Sequence, residues 1–391
     1  MRAKTVIAIT LIIAAASLLA SPPACSAPVG IPILIDLTHR QPPSGIDIII
    51  KVVPEAQWYI LVKSEEEAEA LSPVVKANVH GIIVGDFASI DLEKLGITMI
   101  IIGQPQAPFT PEEVSAIASW FTGGPGRAIW VAADSDYPAQ GTELSQHAVN
   151  TILEAIGAHL RMDYVSVEDP VSNAGKGYRV LGLVNMSEVA VLRYGCERVL
   201  FHGPGAVAWV DEAGNWHKVT PQDKPDNVYI LATTTVNGEI LEHQAEPTGT
   251  SGKAYTPGET GVFTLMAAEV ITVEGGKNVV IVSGETPYGG YQPMVTWKYY
   301  GRLLSGPRFV RNVILWATGY MGELREYEKL AALPEEVSRT LAEKTQEITD
   351  KVNSAIAGVS STLNAALGLS VLALILALVA LALSLRKPKA A

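Results

Sequence analysis

The residues of this sequence best placed to do chemistry are polar side chains that directly follow apolar runs. Asp36, Thr38 and His39 close the run 31–37. Gln104 follows 98–102, Asp134, Ser135 and Asp136 follow 128–133, and Glu285 and Thr286 follow 278–282. If each run is a strand of one open α/β sheet, these side chains gather at the carboxyl ends of the strands, where such sheets bind ligands. Carboxylates there offer two chemistries. As oxygen ligands they suit Ca²⁺ or Mg²⁺, although Asp134-Ser135-Asp136 lacks a full EF-hand loop. A divalent cation is therefore compatible, and no other cofactor is called for. As a pair, Asp36 with Asp134 or Glu285, they would serve as acid and base in a carboxylate-dependent hydrolase, or as ligands in a metal-dependent one, acting on surface glycans or peptides. Asp and Ser after strands also cap helices and close turns, which is the purely structural alternative.

Other reactive types are sparse. The seven histidines form no HExxH pair, and His202, beside Gly203-Pro204-Gly205, reads as a turn residue. Trp209, Trp216, Tyr229 and the tyrosines between Tyr288 and Tyr300 could stack on sugars or fill a core. Of the two cysteines, Cys25 is expected to be lost on processing, which leaves Cys196 without an intramolecular partner. Within Arg193-Tyr194-Gly195-Cys196-Glu197 it reads as a small core residue. Asn185-Met186-Ser187 is a glycosylation sequon.

The elements that must position these residues alternate. The apolar, β-branched runs suit strands buried on both faces. Further strands are expected at 58–62 and 81–84. Thr110-Pro111-Glu112-Glu113 is a helix start with a cap, Pro at the first position and early acids, and that helix ends at Gly123-Gly124. A second helix is expected over 143–156 and a third over 307–318. This βαβα rhythm predicts an α/β fold, a parallel sheet with helices on both faces. Between 161 and 275 short strands and turns dominate, which predicts an antiparallel β-rich insertion. The segment 276–322 then returns as the closing strand and helix of the domain begun over 28–160.

The Ile-Leu-Ile-Asp strand, Met99-Ile100-Ile101-Ile102-Gly103-Gln104-Pro105, the helix ending in Gly-Gly, and Trp130-Val131-Ala132-Ala133-Asp134-Ser135-Asp136 resemble the class I glutamine amidotransferase-like (flavodoxin-like) fold. They are similar in particular to its non-amidotransferase branch, found beside ABC transporters, in gliding-motility proteins and in archaeal surface proteins. Arg311-Asn312-Val313-Ile314-Leu315-Trp316 looks like the closing helix of those domains. The resemblance spans residues of about 30 to 320. It implies a transporter or surface-layer partner. Catalytic members carry a Cys on a sharp turn after a strand; the matching turn here is Ala132-Ala133-Asp134-Ser135, so no thiolate nucleophile is expected and an enzymatic role is the less favoured one.

The two ends predict where the body resides. Arg2 and Lys4 precede an apolar run over 5–20, broken by Ser21-Pro22-Pro23, as in a signal peptide ending near residue 27; an uncleaved anchor is the alternative. Residues 367–385 contain no charge, Pro or aromatic and are long enough to cross a bilayer, and Arg386, Lys387 and Lys389 follow. Together they predict a single-pass protein of the cell membrane with an extracellular body and a cytoplasmic tail, 386–391. Over 335–366, apolar residues recur in steps of four and three from Leu341 to Thr362. That stripe predicts a helical stalk through which copies could pair as a coiled coil, or a lone amphipathic helix. The chain carries 29 Lys+Arg against 40 Asp+Glu, a net charge of -11. Five of those basic residues sit in the two end segments, so the body is more acidic still. Nucleic acid is excluded as a partner on that ground.

Overall fold

A computed structural model describes residues 30–140, 142–244 and 249–384. The segment read as a signal peptide and the basic tail lie outside the described residues. The first half alternates as expected: β1 (Ile31–Asp36), α1 (Ile46–Val52), β2 (Ala56–Val62), α2 (Glu65–Ala70), α3 (Pro73–Asn78), β3 (Gly81–Val84), β4 (Met99–Ile102), α4 (Pro111–Thr122), β5 (Ala128–Ala132) and α5 (Thr142–Ala155). Short strands follow: β6 (Leu160–Met162), β7 (Ser166–Glu168), β8 (Arg179–Leu183), β9 (Arg198–His202), β10 (Val207–Val210), β11 (Trp216–Lys218), β12 (Val228–Thr233), β13 (Gly238–Leu241) and β14 (Thr260–Gly261). Two long strands, β15 (Thr264–Val273) and β16 (Gly276–Ser283), precede a small hairpin, β17 (Lys298–Tyr299) and β18 (Arg302–Leu303). The helices α6 (Gly306–Ala317) and α7 (Leu324–Ser384) end the chain.

Ten strands form one sheet in the order β3-β2-β1-β4-β5-β16-β15-β12-β8-β9. The six from β3 to β16 are mutually parallel, and the remaining neighbours are antiparallel. The closing strand β16 lies directly against β5, so the β-rich stretch is looped out and then used to extend the same sheet. Period-two alternation sorts the parallel strands into two cores. Ile33, Ile35, Ile60, Ile101, Trp130 and Ile281 face one side with α1 and α6. Leu34, Leu61, Ile100, Ile102, Val131 and Val282 face the other with α4 and α5. Burial on both faces is why these strands read as unbroken apolar runs.

The N-terminus of α4 is held by a capping box. The Thr110 hydroxyl accepts the Glu113 N–H at 3.2 Å, and the Glu113 carboxylate accepts the Thr110 N–H at 2.9 Å. The chain divides into two units, the first ending at Tyr327 and the second beginning at Glu328. The second is the body of α7, which is the single helix among the described residues long and apolar enough to cross a membrane, as in a single-pass membrane protein. This helix begins at Leu324, before the expected stalk, and carries Pro334 within it. An exposed helix tolerates the lost hydrogen bond because water can satisfy the carbonyl it leaves over.

Candidate functional site

The sequence-predicted residues do come to one edge of the sheet, but they divide into separate clusters. At the end of β1, Asp36 is fully buried. One carboxylate oxygen accepts the Thr38 N–H at 2.9 Å and hydroxyl at 2.6 Å, and the other accepts the Gln41 amide at 2.7 Å. His39 bridges two acids, with Nδ1 3.0 Å from Asp36 Oδ2 and Nε2 3.5 Å from Glu113 Oε2. Its ring packs on Phe109, centroids 3.7 Å apart. Burial works to lower the His39 pKa, but the Asp36 hydrogen bond and charge, with Glu113, outweigh it and raise the pKa. The side chains of this loop are thus engaged with one another and with Glu113 of α4.

The strand order reverses between β1 and β4, the crevice where sheets of this kind take ligands. Here that crevice is filled from within. The buried Tyr288 phenol donates to the Asp36 carbonyl on β1 and accepts the Gly103 N–H after β4 at 2.9 Å. The Thr286 hydroxyl in turn donates to the Tyr288 carbonyl.

A second cluster joins the ends of β4, β5 and β16. Asp134 and Glu285 are both buried. Glu285 accepts two backbone N–H groups, from His202 at 2.5 Å and Thr286 at 2.9 Å. Burial raises the pKa of Asp134, and burial together with the neighbouring Asp134 charge raises that of Glu285. Gln104 reaches the same place: its Oε1 and Asp134 Oδ2 both lie under 4 Å from where a Gly290 side chain would begin. Gln104 Nε2 and Asp134 Oδ1 are buried without a hydrogen-bond partner among the described residues. Asp136 turns away, accepting the Ser166 hydroxyl at 2.6 Å and the N–H groups of His243 at 2.5 Å and Gln244 at 3.1 Å. It ties the β-rich stretch to β5. Among the described residues no group of three or more His, Cys, Asp or Glu side chains is placed to hold a metal ion.

The open cavity at this edge, about 370 Å³, lies beyond these acids. Of the expected residues only Ser135 lines it. Its walls come from the turn after β5 (Tyr137), from β7 (Glu168), from β8 and β9, and from Tyr291. Arg179 and His202 are register partners on β8 and β9, which brings a cation and an imidazole to one spot. The His202 ring lies 4.9 Å from Tyr291 and 5.5 Å from Tyr178. Burial, and then the Arg179 charge, lower the His202 pKa, which keeps the ring neutral. The Glu168 pKa is raised by burial and by Glu239. The cavity thus offers aromatic faces, one fixed cation and several neutral donors and acceptors, the make-up of a small-molecule site.

Sequence reasoning missed Glu168, Tyr178 and Arg179, which sit in a stretch without motif, and took His202 for a turn residue. The aromatic run after Tyr288 held the one usable signal: Tyr288 is core, whereas Tyr291 and Tyr300 are exposed. Cys196 is buried, and burial pushes its thiol pKa up to about 12. Asn185 lies exposed in a turn.

No family model matches the chain, and no curated protein matches it. Among solved structures it is similar to the "mmIFT52 N-terminal domain", at 13% identity over 75% of this chain and 98% of that chain, with a TM-score of 0.42. The fold assignment therefore stands on the strand order and packing described above.

Proposed function

We propose that this protein is a membrane-anchored extracellular module for binding or assembly, with a head of class I glutamine amidotransferase-like fold that lacks the catalytic cysteine. The observation that carries this reading is the aromatic-lined cavity at the carboxyl edge of the sheet, in a chain that ends in an apolar, exposed helix. The order β3-β2-β1-β4-β5-β16 is compatible with the resemblance, which would put Asp134-Ser135 on the turn where catalytic relatives carry their nucleophile. A buried thiol with a pKa near 12 is a poor substitute for that nucleophile. The charged start and apolar run of the N-terminus, together with the basic tail, support an outside head and inside tail in the cell membrane. The branch it resembles supports a transporter or surface-layer partner, and the stripe along 341–363 supports pairing of copies through the stalk.

Thermal shift of the full chain in detergent, against panels of glycans, peptides and cations, tests this reading. A ligand is expected to raise Tm in the native protein and to lose that effect when Tyr291 is replaced by Ala. A panel without any shift, with Tyr291→Ala behaving as the native chain, would overturn it. One observation favours a second reading, a carboxylate-dependent hydrolase. The Asp134–Glu285 pair has the raised pKa values that acid catalysis uses. That reading requires turnover of a bound glycan or peptide that Asp134→Asn abolishes.

A further inference from the structure

The guanidinium of Arg179 is held in an unusual way. It lies 4.1 Å from the ring centre of Tyr300, 5.2 Å from that of Tyr178 and 5.9 Å from that of Tyr299. Among the described residues its side chain forms no hydrogen bond or ion pair, and its Nε is buried without a partner. A guanidinium laid over aromatic rings, with its terminal Nη groups free of partners among the described residues, can turn those groups toward an oxyanion.

The hairpin that carries Tyr300 supplies an independent observation. Strands β17 and β18 pair Tyr299 with Arg302, which leaves Tyr300-Gly301 as a two-residue loop. Both loop residues have positive φ, 43° and 76°, as a type I′ turn requires. Asn or Asp is the favoured first residue of such a turn, because a bulky aromatic is strained in the left-handed region. Here the strained residue is the one laid over Arg179. Strain retained at a single position points to a use for the side chain.

We infer that the cavity binds an acidic sugar, with Arg179 gripping the carboxylate of a uronic acid residue and exposed tyrosine rings stacking on the sugar faces. A pyranose offers an apolar face to a ring and hydroxyls at its rim. Tyr291, 70% exposed, and Tyr137, 47% exposed, present such rings at the cavity mouth. Ser135, Glu168 and His202 supply hydroxyl, carboxyl and imidazole groups suited to the rim. The head is acidic overall, so the attraction is local and works within the roughly 8 Å over which charges are felt at physiological salt.

This assignment rests on the binding reading above, and calorimetry on the full chain in detergent separates the two. The probes are trigalacturonate, its methyl ester, adenosine monophosphate and a short peptide with a free carboxyl terminus. Trigalacturonate is expected to bind, and the ester about tenfold more weakly or worse, because the rings remain and the charge is gone. Arg179→Gln is expected to erase that difference. Tyr300→Asn is expected to weaken trigalacturonate roughly threefold to tenfold while leaving Tm equal or higher, since Asn-Gly is the better turn. Equal affinity for acid and ester would overturn the uronate assignment and leave a binding cleft standing. Preference for the nucleotide or the peptide would likewise overturn it. Failure of every probe in calorimetry, with a silent thermal-shift panel, would overturn both.

Discussion

At the scale of single residues, Asp134 and Glu285 should behave differently although they share a site. Glu285 accepts two backbone N–H groups, whereas Asp134 Oδ1 has no hydrogen-bond partner among the described residues. Asp134→Asn should therefore cost little at pH 7. Glu285→Gln should cost about 1–3 kcal/mol, because one of two N–H donors would then face an amide nitrogen. Chemical denaturation of the two variants measures the contrast. The pH dependence has a definite sign. An acid whose folded pKa is raised holds its proton where the unfolded chain has lost it, so stability falls as pH climbs above the ordinary carboxylate range toward the folded pKa. Asp134→Asn should flatten that fall above the ordinary carboxylate range. His39 acts in the same direction: with its pKa raised, its contribution is complete below about 6.5 and is lost as pH passes the folded value. Cys196, with its pKa near 12 and its side chain buried, should resist iodoacetamide at pH 8 until denaturant is added; rapid labelling of the native chain would contradict the packing around it.

At the scale of elements, Tyr288 is the pin between β1 and β4. Tyr288→Phe keeps the ring but strands the Gly103 N–H and removes a donor from the Asp36 carbonyl, and should cost about 1–3 kcal/mol. Urea titration checks this. Thr110→Ala, which breaks the capping box of α4, should cost about 1 kcal/mol. These elements differ in how far they could be read from sequence. β1, β4, β5, β16 and α4 were plain, since doubly buried strands and a Thr-Pro-Glu-Glu start leave little choice. α1 was hidden: Ile46-Asp47-Ile48-Ile49-Ile50 is β-branched and strand-like by propensity. Ile46, Ile49 and Ile50 nevertheless share a helical face that the core takes up, so burial overrides local preference. Strand ends told where the acids would gather, but not that Tyr288 would fill the crevice between them. The cavity was illegible because Arg179 and His202 meet only through the pairing of β8 with β9, a register that no local pattern fixes.

At the scale of the whole molecule, the apolar part of α7 governs how the protein partitions. Truncation before Gly368 should release the chain from membranes under conditions in which the full chain survives a carbonate wash; a truncated chain that stays in the pellet would mean another anchor. The stripe of Leu341, Ile348, Val352, Ile356 and Val359 is exposed along the same helix. If it pairs copies, as proposed, cross-linking in detergent should give dimers or trimers that Ile348→Asp with Ile356→Asp dissolves, with the Tm of the head unchanged.

The Tyr300-Gly301 turn also bears on descent. A single base change turns a tyrosine codon into one for asparagine, so a more relaxed hairpin is always one mutational step away. A lineage that stopped using the ligand would be expected to take that step by drift. Chains of this architecture that hold Asn at the corresponding place should prove indifferent to charged sugars, and those that keep an aromatic there should still respond to them.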